Sequence, residues 1–163
     1  MSTMLTLRQM IPSFRLPSNR GVPLGTRDYR HERNLILLVL HDLECDECRA
    51  LLAGIAARYA EFAALDAEVL VIVGNPPDDV AGAPYPFPVL SDADGAVRRQ
   101  LLEEQISGEE PVGAFATDRF GKLFLQTVAS GAGELPAADE LLEWAEYADM
   151  QCPECGVPEW PEG

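Results

Sequence analysis

The four cysteines of the chain fall in two Cys-x-x-Cys pairs, Cys45/Cys48 and Cys152/Cys155. A thiolate attacks a disulfide sulfur, and a second thiol three residues away can displace the product with little loop cost. The first pair lies in His41-Asp-Leu-Glu-Cys45-Asp-Glu-Cys48, between an apolar run (Leu35–Leu40) and a stretch with Leu51, Leu52, Ile55, Tyr59 and Phe62 at helical spacing. The pair therefore sits where a strand becomes a helix. A thiol in the first helical turn faces the positive end of the macrodipole, which favours the thiolate. Asp42, Glu44, Asp46 and Glu47 flank the pair and act the other way, since like charge disfavours a thiolate. The residues thus read as a dithiol redox centre, with a metal pair or two core cysteines as the alternatives.

His41 is a general base, a metal ligand or a packing residue at the strand end, and packing is the simplest of these. His31, in Tyr29-Arg-His-Glu-Arg33, is expected in solvent. The second pair, Cys152-Pro-Glu-Cys155-Gly156, has the form of a zinc knuckle. A structural zinc takes four ligands, so the remaining two would come from Cys45 and Cys48, from His41, or from another subunit. The same pair on a movable tail would instead relay electrons to the helix-borne pair, or stand idle. No phosphate-binding glycine loop, paired-carboxylate site or Ser/His/Asp arrangement is supported.

These residues need a framework, and the chain is long enough for one core at 163 residues, 47% of them hydrophobic and 24% charged. A formal net charge of −15 argues against nucleic acid and acidic membranes as partners. Met1–Met10 contain no long apolar run, and no segment approaches membrane-spanning length; a cytoplasmic protein is expected. In that compartment closely spaced cysteines indicate redox or metal chemistry more than structural disulfides.

Along the chain, Phe14–Leu24 predicts a short N-terminal β-hairpin. Leu35–Leu40 predicts a strand, Cys45–Leu65 a helix, and Ala67–Val73 a second central strand. The proline-rich Gly74–Pro88 reads as loop. Val89–Asp92 ends in a cap signal, before a short helix that turns Val97, Leu101 and Leu102 inward. Glu103–Pro111 is a polar connection. Val112–Thr117 and Lys122–Val128 flank the turn Asp118-Arg-Phe-Gly121, and Pro136 opens a last helix burying Leu141, Leu142 and Ala145. The expected division is one domain over residues 1–150 and a cysteine-containing tail over 151–163. Strand–helix–strand followed by an antiparallel hairpin and a closing helix gives an α/β fold, a mixed central sheet with helices on both faces. That is a thioredoxin-like layout.

The order Pro12-Ser-Phe-Arg-Leu16, strand, Cys-x-x-Cys, Phe87-Pro-Val-Leu-Ser-Asp92 and Phe115-Ala-Thr-Asp118-Arg-Phe-Gly121 resembles the alkyl hydroperoxide reductase / thiol-specific antioxidant family, peroxiredoxin-related members of the thioredoxin superfamily. The resemblance runs from about Ile11 to Trp144. It implies a thiol-dependent oxidoreductase that needs no bound cofactor and exchanges with a cellular dithiol reductant or a protein disulfide. In that family's Pro-x-x-x-Thr-x-x-Cys motif the peroxidatic cysteine falls on Cys48, the threonine on Cys45 and the proline on His41; the family's later arginine falls on Val112. The peroxide-binding groups are thus replaced. Thioredoxins resemble the chain in the Cys-x-x-Cys spacing, with Glu44 where they carry tryptophan and Val112 where they carry a cis-proline, one residue after Pro111. By that pattern Cys45 is the nucleophile and Cys48 the resolving thiol. The resemblance favours thiol–disulfide exchange. A thiol-dependent peroxidase using Cys48 or Cys45 is the alternative within the class, and a non-catalytic zinc-binding or interaction module is the alternative outside it.

Overall fold

The apolar runs Asn34–Val39 (β1) and Ala67–Val73 (β2) pair in parallel at the centre of a five-stranded sheet. This is a computed structural model, which describes residues 9–102 and 111–150. Every residue of both strands is buried, as expected for strands covered on two faces. Val89–Ser91 (β3) adds in parallel beside β2; Val112–Thr117 (β4) pairs antiparallel with β1, and Leu123–Ala129 (β5) antiparallel with β4. The sheet order is β3-β2-β1-β4-β5. The β4–β5 turn closes on Gly121, at φ +87°, a conformation that side chains other than glycine rarely adopt.

Alternation along β1 sorts its side chains into two cores. Ile36 and Leu38 face a cluster with Leu52, Ile55, Phe62, Leu141 and Ala145; Leu35, Leu37 and Val39 face Val97, Leu101, Leu102 and Phe115. The first face is covered by Asp46–Ala57 (α1), Tyr59–Ala64 (α2), Pro77–Ala81 (α3) and Ala138–Asp149 (α5). The second is covered by Ala96–Leu102 (α4) and the N-terminal segment around Ile11, Phe14 and Leu16. The thioredoxin-like layout read from the sequence is the observed one.

Some details differ. The helix expected over Cys45–Leu65 is two helices, because Arg58 leaves helical geometry at φ −118°, ψ 19°. The apolar spacing continues across that break, so periodicity alone gives no sign of it. Gly74–Pro88 is not all loop: Pro77 takes the first position of α3, where its missing N–H has no helical partner to lose. Pro136 precedes α5 but does not open it; the cap is Ala137. The N-terminal hairpin reduces to one antiparallel bridge, Leu16 with Leu24, while Ser18 bridges to Leu90. Most of Glu103–Pro111 and the whole tail with Cys152 and Cys155 lie outside the described residues.

Candidate active site

The site forms where β1 and β2 end, beside the point at which the sheet changes from parallel to antiparallel neighbours. Clefts at the carboxyl ends of strands in α/β sheets are the usual place for chemistry. Leu40 continues the β1 ladder by donating its N–H to Ile72 O at 2.8 Å. Gly74 N–H then donates to His41 O at 3.1 Å. A Cβ at Gly74 would stand 3.3 Å from that oxygen, so glycine lets the two strand ends approach.

The loop from His41 to Cys45 is held by side chains acting on backbone. Asp42 Oδ1 accepts from Glu44 N–H at 2.9 Å and from Cys45 N–H at 2.8 Å, an Asx-type turn. Asn75, 6% exposed at the end of β2, accepts from Leu43 N–H at 2.9 Å and donates to Glu44 Oε1 at 3.1 Å. Ser91 Oγ donates to Asn75 O at 2.7 Å and ties this clamp to β3. Glu47 Oε1 accepts from Gly133 N–H at 3.2 Å, in the 3₁₀ turn Ala132–Glu134 that precedes α5. Three of the four carboxylates flanking the pair are thus engaged in shaping the loop.

Cys45 is the N-cap of α1. Its Sγ accepts from Cys48 N–H at 3.2 Å, the position a serine or aspartate oxygen takes in an ordinary cap. Cys45 is half-buried, and Cys48, one turn into the helix, is fully buried. Burial, with the Cys45 hydrogen bond, pushes the Cys48 thiol up to about 12, against hydrogen bonding from the backbone of His41 and Asp42. Desolvation is the largest cause, so at Cys48 burial outweighs the acidic flank. No disulfide joins the two sulfurs in this arrangement. A ring nitrogen of half-buried His41 and the two sulfurs all lie within 4.8 Å of one another. His41 thus stands beside both sulfurs at the end of β1. These donors form a Cys/His set able to hold a metal ion. His31 is exposed as expected, in a T-shaped arrangement with Phe120 at 5.4 Å between ring centroids.

Val112, which aligns with the family arginine, is fully buried. A guanidinium does approach this end of the sheet, from α4. Arg98 donates to Leu40 O, just before His41, and to Pro111 O, just before β4. Its helix is capped by Asp92, whose carboxylate accepts from Val97 N–H at 3.1 Å and Arg98 N–H at 2.8 Å. Sequence reasoning missed Arg98 and Asn75. The only local signal for Asn75 is an asparagine directly after a buried strand and before Pro76-Pro77.

Residues 7–115 match the AhpC/TSA family, over more than half of the chain. The chain belongs to the AhpC/TSA family. It is accordingly a thiol-dependent oxidoreductase of the peroxiredoxin-related thioredoxin superfamily. Its fold is shared by the peroxidoxin BcpB of Mycobacterium tuberculosis (19% identity, 91% of this chain and 99% of that one, TM-score 0.75). It is also shared by a thiol:disulfide interchange protein DsbE, so described putatively, from Chlorobium tepidum (24% identity, 90% and 99%, TM-score 0.68). Mycobacterium bovis AhpC is similar at 15% identity, over 92% of this chain and 97% of that one, with a TM-score of 0.74. No curated protein matches the sequence significantly. No helix among the described residues is long and apolar enough to cross a membrane.

Proposed function

We propose that this AhpC/TSA protein is a thiol–disulfide exchange enzyme acting through Cys45 and Cys48, and that peroxide is a poor substrate. The observation that carries the reading is the asymmetry of the pair: Cys45 Sγ is partly exposed at the helix cap and hydrogen-bonded by Cys48 N–H, while Cys48 is buried. Cys45 as thiolate attacks a substrate disulfide, forming a mixed disulfide and releasing one substrate thiolate. Cys48 then loses its proton, and its thiolate attacks Cys45 Sγ. The second substrate thiolate leaves, and Cys45–Cys48 becomes the disulfide. Two electrons and two protons pass to the substrate. His41, with a ring nitrogen within 4.8 Å of both sulfurs, is the group we assign to take the Cys48 proton. Arg98 supports the preference for disulfides, because it is hydrogen-bonded to the Leu40 and Pro111 carbonyls at the point where the family activates peroxide.

The partners follow from the chemistry: a cellular dithiol as reductant or a protein disulfide as substrate, in the cytoplasm. Cys152 and Cys155 then act as a relay to Cys45 or as a zinc knuckle, and the functional division remains a domain over 1–150 and a tail over 151–163. The deciding experiment compares steady-state consumption of hydrogen peroxide and of a small disulfide under one thioredoxin-type reductant. Disulfide turnover that is the faster, and is lost in Cys45→Ser, is the expected result. Fast, saturable peroxide consumption lost in Cys48→Ser would make the protein a peroxidase.

A further inference from the structure

Two of the positions at which this chain leaves the peroxidatic motif share a chemical feature. His41 stands where the family has proline, and Cys45 where it has threonine. Each replacement exchanges a side chain with no affinity for soft metals for a good ligand of one. Both fall beside the retained Cys48, and the three donor atoms lie within 4.8 Å of one another, the one such His/Cys cluster among the described residues. We propose that His41, Cys45 and Cys48 bind one Zn²⁺ per reduced chain, with the fourth coordination position open on the exposed side of Cys45.

The donor set selects the ion. Two thiolates and an imidazole suit a thiophilic d¹⁰ cation, whereas calcium and magnesium require oxygen ligands. Zn²⁺ with two sulfurs at about 2.3 Å needs them about 3.8 Å apart, and an imidazole nitrogen slightly closer. From separations within 4.8 Å the donors need adjust by no more than about an ångström. His41 and Cys45 are only half-buried, on the loop and at the cap, and have room to do so. A disulfide demands far more closure, to about 2.05 Å between sulfurs. The charge of the neighbourhood fits as well. Asp42, Glu44, Asp46 and Glu47 surround the pair in a chain of formal net charge −15. Those carboxylates attract a dication, and the ion also neutralises the two thiolates it draws together.

Binding and catalysis use the same two sulfurs and exclude one another. Zn²⁺ entry displaces two protons, one from each thiol, and leaves zinc in its divalent state. A substrate disulfide that oxidises the bound dithiolate takes two electrons and becomes two thiolates; Cys45–Cys48 closes and Zn²⁺ is released. Zinc therefore stabilises the reduced pair. At a free zinc concentration about 100-fold above its dissociation constant, the dithiol–disulfide equilibrium moves about 100-fold toward dithiol. That is a rise of about 60 mV in the two-electron potential. The inference rests on the same dithiol as the proposed function and makes it a zinc-gated one.

The test uses the full chain carrying Cys152→Ser and Cys155→Ser, so that the tail supplies no thiolate. Reduced protein is titrated with Zn²⁺ against a chromophoric chelator, and with Co²⁺ for the thiolate-to-metal charge-transfer band. One zinc per chain, the cobalt band, and loss of both on oxidation are expected. His41→Ala should weaken zinc more than about a hundredfold, beyond the roughly tenfold to hundredfold that loss of a supporting group outside the coordination sphere costs, and His41→Cys should restore it. No zinc bound, or binding indifferent to His41→Ala, overturns the site. Disulfide exchange by the same protein after chelation is measured in parallel. Exchange without zinc binding removes this inference and leaves the proposed function standing, while zinc binding without exchange does the reverse.

Discussion

Asn75 holds no sulfur, yet the geometry of the pair depends on it. Its side chain accepts from Leu43 N–H at 2.9 Å and donates to Glu44 Oε1 at 3.1 Å, at a residue only 6% exposed. Asn75→Ala removes both bonds. The Leu43 N–H loses its acceptor, which costs about 1–3 kcal/mol where water does not replace it. The bond to Glu44 adds about 1 kcal/mol, since that carboxylate is exposed and finds water. The sum is about 2–4 kcal/mol, a loss of about 5–15 °C in Tm for a chain of this size. Part of it falls on the reaction, because the same loop presents Cys45 to the helix cap. If one-half of the loss appears in the barrier to exchange, the rate falls about fivefold to thirtyfold. Asn75→Asp separates the two bonds: it keeps an acceptor for Leu43 but sets a carboxylate against Glu44, and should be impaired as well. Denaturant unfolding and stopped-flow reduction of a chromogenic disulfide read both quantities. An Asn75→Ala protein within 0.5 kcal/mol of the parent by this order-of-magnitude reckoning, and unchanged in rate, would refute the clamp.

Tyr59 O–H donates to buried Glu68 at 2.6 Å, and burial followed by that bond raises its ionisation from 10.0 to about 12. The unfolded chain ionises near its ordinary value, so this stabilisation is complete below about pH 10 and is lost as pH rises toward 12. Tyr59→Phe should lose about 1–3 kcal/mol at neutral pH and flatten the alkaline decline in unfolding experiments. Arg98→Met should destabilise by about 2–4 kcal/mol, because two carbonyls lose a charged donor, and Arg98→Lys should recover only part, since an ammonium lacks the fork that spans both; chemical denaturation decides. Deleting 151–163 should leave the unfolding transition intact. If Cys152 and Cys155 relay electrons, the deletion slows reduction of the Cys45–Cys48 disulfide; if they supply two ligands of a zinc site, it weakens zinc binding.

Much of this architecture is legible before any coordinates. Leu35–Leu40 and Ala67–Val73 are continuous apolar runs, and only a strand buried on both faces or a buried helix tolerates them; their length and β-branched content choose the strand. The hairpin around Asp118–Gly121 and the inward residues of α4 follow from the same local rules. The break at Arg58 does not, because Leu52, Ile55, Tyr59 and Phe62 keep helical spacing across it. Pro77 is misread for another reason: proline stops a helix from within but starts one at its first turn. At the site, residue type and spacing pick out Cys45 and Cys48, whereas His41 reads first as packing and only the fold shows it beside both sulfurs. Asn75 and Arg98 escape because their partners are 32 and 58 residues away in sequence. Such contacts are created by the sheet order, which no local pattern encodes.

The central claim is that Cys45 attacks and Cys48 resolves. Its most direct test is mass mapping of the adduct formed with a small aromatic disulfide, in full-length chains carrying Cys152→Ser and Cys155→Ser. With both site cysteines present, a transient adduct should give way to an intramolecular Cys45–Cys48 disulfide. In Cys48→Ser the adduct should persist on Cys45. In Cys45→Ser reaction should be slower by orders of magnitude, since Cys48 is buried and its thiol holds its proton. Rapid labelling of Cys48 in the absence of Cys45, or no disulfide between the two when both are present, would contradict the account.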